Sequence, residues 1–248
     1  MHPILFKFPR LTLYTYGFFV ALAMALVLWL SVKRSRREGL PPQEALDLLF
    51  IVFVSGMFGA RLFYVLQHWA DFSGDWTASF RLQEGGLVWY GGFLTGTFCG
   101  IISCIRKKQS VLRWADFFAP IAPLGHAVGR LGCFFNGCCY GRPTDSFLGV
   151  FFPGDSFARH PTQLYESFGL AVIAFVLFKM ARQKHGAGQI ASFYMLFYGL
   201  LRFGLELLRA DQELFFQLSI PQWISLGLFT IGLVFLRMFR ASGHENKH

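Results

Sequence analysis

The chain has 248 residues, 54% of them hydrophobic and 18% aromatic, with 31 Phe and a net charge of +9. With its positive mean hydropathy, this composition excludes an ordinary soluble domain or a disordered tail and indicates an integral membrane protein. The length accommodates about seven spans of about 20 residues with short loops, so a single integral membrane domain over residues 1–248 is expected.

The chain opens on an amphipathic stretch, MHPILFKFPR. No small-residue cleavage site follows the first span, so a cleaved signal peptide is not expected. Spans are predicted at Leu13–Val32, Leu46–Leu66, Leu87–Ile105, Trp114–Leu131, Gln163–Met180, Ile190–Leu208 and Trp223–Phe239. Pro120, Pro123 and several Gly interrupt the fourth. Lys33, Arg34, Arg36, Arg37, Arg106, Lys107, Lys108, Arg113, Lys179, Arg182, Lys184, Arg237, Arg240 and Lys247 fall in alternate loops and at the C-terminus. They are 14 of the 23 basic residues. Lys7, Arg10, Arg81, Arg142, Arg159 and Arg209 fall on the opposite side. The positive-inside rule therefore places the N-terminus outside and the C-terminus in the cytoplasm. The same distribution assigns the positive charge to topology and excludes nucleic acid as the partner.

Two outer loops are long. An arm at about 67–86 carries Trp69, Phe72, Trp76 and Phe80, aromatics suited to the headgroup layer. A head loop at about 132–162 is Gly-rich and contains an apolar run, Phe147–Phe152, of strand character.

Arg61, Arg130 and Arg202 sit deep in apolar segments. A charge at mid-membrane depth costs about 2.5–3.5 kcal/mol even on a lenient scale. With few carboxylates to neutralise them, these arginines point to an anion held between helices, and a phospholipid phosphate is the abundant one. In the second span Arg61 shares a face with Tyr64 and His68, and Arg61 either binds lipid or snorkels to the interface. In the fourth, His126 and Arg130 share a face. They precede Gly132, Cys133, Asn136, Gly137, Cys138, Cys139, Gly141 and Arg142, where exposed backbone N–H groups beside Arg suit a phosphate. In the sixth, Tyr198, Arg202, Glu206 and Arg209 lie within about 80° of one face. Arg202 and Glu206 either form a structural ion pair or serve a site. Ahead of the fifth span, Thr162 suits a cap and Glu166 the first turn of a helix, while Arg159 and His160 would line a lumen. The cysteine spacing fits no common zinc pattern, because Cys138 and Cys139 are adjacent, so no metal is expected. Five Cys give no disulfide framework.

These stretches together resemble the prolipoprotein diacylglyceryl transferase family of bacterial inner membranes. The resemblance rests on Tyr16-Gly17, Gly59-Ala-Arg61-x-x-Tyr64, Trp89-Tyr90-Gly91-Gly92, Asp116-Phe117-x-Ala119-Pro120 and Gly129-Arg130-x-Gly132-x-Phe134-x-Asn136-Gly137. It continues through Arg159-His160-Pro161-Thr162-Gln163-Leu164-Tyr165-Glu166 and Tyr198-Gly199-x-x-Arg202-x-x-x-Glu206-x-x-Arg209. The pieces run in family order over nearly the whole chain. Tyr90 stands where the family often has His. Cys133 and Cys138 stand where it often has Asn and Glu.

The resemblance implies an all-α polytopic protein with seven transmembrane helices, a periplasmic N-terminus, a cytoplasmic C-terminus and a small periplasmic head and arm. It implies transfer of a diacylglyceryl group from phosphatidylglycerol to the lipobox cysteine thiol in the signal peptide of a preprolipoprotein, with release of glycerol phosphate. No cofactor is required. Arg130, Arg202, Tyr90 and His160 would then be catalytic, with His126 a second candidate base. Tyr16, Arg61, Tyr64, Asn136, Gly137, Tyr198, Glu206 and Arg209 would bind lipid or substrate. A transferase using another acceptor and an anionic-lipid transporter are the rival readings; the chain lacks the paired halves usual in a transporter.

Overall fold

The computed structural model describes residues 4–7, 12–72, 74, 76–81, 86–209 and 214–245. Arg10, Lys247 and residues 73, 75 and 82–85 of the arm lie outside them. The described residues are mostly helical. Four helices are long and apolar enough to cross a membrane: α1 (Thr15–Glu38), α2 (Pro42–Gln67), α7 (Thr162–Met180) and the Ile220–Phe239 part of α9 (Ile220–Glu245). The others are α3 (Trp69–Phe72), α4 (Trp89–Arg106), α5 (Val111–Phe118), α6 (Ala122–Asn136) and α8 (Gln189–Glu206). Three short antiparallel pairs accompany them: β1 (Ile4–Lys7) with β2 (Thr12–Tyr14), β3 (Val150–Phe151) with β4 (Ala158–Arg159), and β5 (Leu214–Phe215) with β6 (Leu218–Ser219). The strand expected in Phe147–Phe152 is thus β3.

The predicted fourth span is two helices. Residues Ala119–Ile121 separate α5 from α6, because Pro120 cannot donate to the ladder and Pro123 suits a first turn. The break frees Asp116 at the end of α5. Its carboxylate accepts the backbone N–H groups of Gly188 at 2.6 Å and Ala191 at 2.8 Å, so a residue from a distant helix satisfies the start of α8.

The chain forms two compact units. One comprises residues 31–111. In it α2 and α4 pack through small residues, and an added Cβ on Gly91 would lie 2.7 Å from the Gly59 carbonyl oxygen. Backbones approach this closely only where side chains are absent. The other unit comprises residues 1–30 and 112–248. Its core joins Ala119, Ile173, Leu177 and Ile190. An added Cβ on Gly132 of α6 would meet Phe19 of α1 at 2.9 Å, and one on Gly199 of α8 would meet the Ser225 carbonyl of α9 at 2.8 Å.

Candidate functional site

Besides Asp116, two buried carboxylates of the second unit, Glu166 and Glu206, gather its arginines. Glu166, one turn into α7, is 1% exposed. Its Oε2 lies 3.0 Å from Arg130 Nε, and its Oε1 lies 3.6 Å from His126 Nε2. Glu206, at the end of α8, is also buried. Its Oε2 lies 2.8 Å from Arg202 Nη2 and 4.0 Å from Arg209 Nε. Its Oε1 accepts the Ser219 hydroxyl at 3.2 Å. Arg130 and Arg202 both act electrostatically on His126, and Arg130 and Arg209 both act on Cys139. The two clusters are therefore one electrostatic neighbourhood. Among the described residues, three guanidiniums face these two carboxylates, one cation more than the carboxylates. Arg202 Nη1 and Arg209 Nε are buried without a hydrogen-bond acceptor among the described residues. Buried guanidinium donors are costly to leave unmatched.

The surrounding backbone fixes this group. Gly141 donates its N–H to the His160 carbonyl and Arg142 to the Leu208 carbonyl, both at 2.8 Å. Gly141 thus lies between the segments that carry His160 and Arg209. No larger residue fits, since an added Cβ would lie 2.5 Å from the Leu208 oxygen. Beyond α8, a cavity of about 260 Å³ is lined by Glu206, Arg209, Gln217, Ser219 and Gln222 together with apolar residues. Tyr198 sets its ring edge-on to His126, with centroids 5.6 Å apart. Tyr16 lies against Gly132 and within the electrostatic reach of Arg130. Gly129 faces open space.

Several expectations change. Gly137 takes φ 73 at the C-terminus of α6. Its N–H donates to Phe134 O at 3.1 Å, and that of Cys138 to Cys133 O at 3.1 Å. This is a Schellman ending, so the Gly137 amide is spent on the helix and not aimed at a headgroup. Asn136 beside it is exposed. Thr162 does not cap α7; its hydroxyl donates to Cys139 O at 2.9 Å. Glu166 serves Arg130 and His126 instead of the helix N-terminus. Arg159 pairs with Asp155 at 2.9 Å and lies over the Tyr140 ring, so it holds the head loop. His160 Nδ1 is 3.3 Å from the Tyr165 hydroxyl.

In the first unit Arg61 turns into the protein and does not snorkel to the interface. It is 6% exposed and donates to the carbonyls of Ala78 at 2.7 Å, Ser79 at 2.8 Å and Gly86 at 3.2 Å. Its guanidinium also lies over the rings of Tyr64 and Phe72. The Tyr64 ring fills the space where Gly86 would carry a Cβ. Arg61 and Tyr64 therefore clamp the arm to α2. Phe72 turns inward, whereas Trp69 and Phe80 stay exposed as expected of headgroup aromatics. Tyr90, 43% exposed, stands in the first turn of α4 with its ring edge-on to Trp89. An apolar cavity of about 350 Å³ lies beside Arg61, bounded by Phe58, Leu62, Val65, Phe80 and Thr95.

Glu166 and Ser219 join the site through the fold. An acid within an apolar span was the available signal for Glu166. Ser219 had no signal, because its contact depends on the β5–β6 turn.

A model of the prolipoprotein diacylglyceryl transferase family matches residues 3–238. A protein of Clostridium tetani named phosphatidylglycerol–prolipoprotein diacylglyceryl transferase is 32% identical over 239 residues, 94% of this chain and 96% of its own. A protein of the same name from Streptococcus equi subsp. zooepidemicus is 32% identical over 245 residues, covering 95% and 94%. Another from Mannheimia succiniciproducens is 34% identical over 244 residues, covering 94% and 91%. The chain belongs to the prolipoprotein diacylglyceryl transferase family.

Proposed function

We propose that this protein transfers the diacylglyceryl group of phosphatidylglycerol to the lipobox cysteine of a preprolipoprotein. One structural observation carries the reading to particular residues: three half-buried guanidiniums share two buried carboxylates, and Arg202 Nη1 and Arg209 Nε are buried donors without acceptors among the described residues. A phosphate is the anion that such donors suit, since Arg presents paired N–H groups to its oxygens.

In the reaction the substrate sulfur bonds to the glyceryl carbon. The bond from that carbon to the phosphate oxygen breaks, and glycerol phosphate leaves as an anion. The thiol proton passes to a base or to water. Arg130 and Arg202 stabilise the charge that grows on the leaving phosphate. Glu166 and Glu206 hold those guanidiniums in place, and Arg209 widens the positive field. Tyr198 and Tyr16 flank the group, and Asn136 contacts the headgroup. Tyr90, a poor base with a phenol pKa near 10, orients the thiol or the headgroup, and His160 accepts the proton. Arg61 and Tyr64 act indirectly through the arm.

The basic loops favour seven crossings with an outer N-terminus and a cytoplasmic C-terminus. On this reading the reaction takes place on the periplasmic side of a bacterial inner membrane. Reporter fusions at the C-terminus and in the head loop test this. The chemistry is tested by Arg130→Ala and Arg202→Ala, each expected to abolish transfer in a properly inserted protein. Normal turnover in both would remove the phosphate assignment.

A further inference from the structure

We propose that Cys133, Cys138 and Cys139 form a binding site for one soft, thiophilic d10 metal ion, of the zinc(II) or copper(I) class, at the C-terminal end of α6. The linear spacing hides this site, and the fold assembles it. Cys133 lies in the last turn of α6. The Schellman reversal at Gly137 folds the chain back, so that the Cys138 N–H reaches the Cys133 carbonyl. Adjacent residues ordinarily point their side chains apart. Here Cys139 adopts φ 67, a left-handed conformation that costs a non-glycine residue about 1–3 kcal/mol, and its sulfur joins the other two. All three sulfur atoms lie within 4.8 Å of one another. Thiolates bound at about 2.3 Å to a shared ion sit about 3.8 Å apart, so closure on an ion needs only small side-chain rotations.

The loop is held in this shape from outside. Gln163 donates to the Cys138 carbonyl and Thr162 to the Cys139 carbonyl, which makes the ligand set preorganised. A metal with three thiolates is an anion overall, and Arg130 and Arg209, both within electrostatic reach of Cys139, supply the compensating charge. Cys139 is exposed while Cys133 and Cys138 are half-buried, giving an ion a route in. Three ligands with an open fourth position describe an exchangeable site more than a closed structural one. Cys99 and Cys104, the remaining cysteines, lie in α4 and take no part in the cluster.

The test uses the full-length protein, reduced and in detergent, titrated with cadmium(II) in the presence of a weak carboxylate chelator. The expected result is one equivalent bound, with a thiolate-to-cadmium ultraviolet band of three-sulfur intensity. Zinc(II) should displace it. Cys133→Ser, Cys138→Ser and Cys139→Ser should each lose the stoichiometric step, and the Cys99→Ser/Cys104→Ser double variant should keep it. In the unsubstituted protein, zinc(II) should also slow alkylation of these three cysteines while leaving Cys99 and Cys104 unchanged, a readout that does not depend on variant folding. A stoichiometry well below one, a band that survives all three single substitutions, or alkylation indifferent to zinc would overturn the proposal.

Discussion

Replacing Glu166 with Gln keeps the side chain's shape and removes the charge that faces Arg130 and His126. At 3.0 Å the gross attraction between Glu166 and Arg130 is about 5 kcal/mol in a medium of effective dielectric about 20. Glu166 is buried and Arg130 half-buried, so the remaining guanidinium must find another partner or carry an unpaired charge. Removing one member of such a pair costs about 3–5 kcal/mol. The amide oxygen of Gln still accepts from Arg130, which puts the stability loss at the low end of that range. The catalytic loss should be larger. If Glu166 fixes Arg130 against the leaving phosphate, a displaced guanidinium removes one charge-stabilising donor, a change of about 10²–10³ in kcat. The assay is transfer to a lipobox peptide at saturating phosphatidylglycerol, run beside a thermal unfolding curve. The expected outcome is a large fall in kcat with a smaller change in KM and a lower melting temperature. Unchanged kcat and stability would refute the claim that Glu166 positions Arg130.

Arg61→Ala should free the arm, because three carbonyls lose their donor at about 1–3 kcal/mol each when left unsatisfied; faster proteolytic cutting between residues 69 and 86 checks this, and unchanged cutting would return Arg61 to a lipid-binding role. Gly141→Ala forces a Cβ to 2.5 Å from the Leu208 oxygen, and overpacking of this kind costs about 1–3 kcal/mol; a lower melting temperature and slower transfer are expected together, and wild-type values for both would show that the segments carrying His160 and Arg209 do not depend on it. Tyr90→Phe should slow transfer through loss of the hydroxyl; an unchanged rate would make Tyr90 a packing residue.

The sequence made the arginines legible as intramembrane charges, and the spacing of Arg202, Glu206 and Arg209 put them on one face, where they lie. The partner of Arg130 was less legible. Glu166 looked like a helix-start residue because it follows Thr162, and only tertiary packing turns it toward α6. Arg61 read as a lipid ligand for the same reason: its acceptors are backbone carbonyls from residues 78, 79 and 86, and carbonyls leave no mark in a sequence. The fourth span was readable as interrupted from Pro120 and Pro123. That the interruption would free Asp116 to hold the start of α8 was not readable. The cysteines failed the spacing test for metal because that test assumes ordinary backbone, whereas Gly137 and Cys139 both take left-handed conformations.

The central claim is that this chain makes a thioether from phosphatidylglycerol and a lipobox thiol, using Arg130 and Arg202 to receive the leaving phosphate. The most direct measurement combines the purified protein with phosphatidylglycerol and a lipobox peptide, and follows peptide mass and released glycerol phosphate together. The account predicts a diacylglyceryl-sized gain in mass with one glycerol phosphate released per peptide modified, and neither product from Arg202→Ala. Binding of anionic lipid with no transfer by the unsubstituted protein would contradict it.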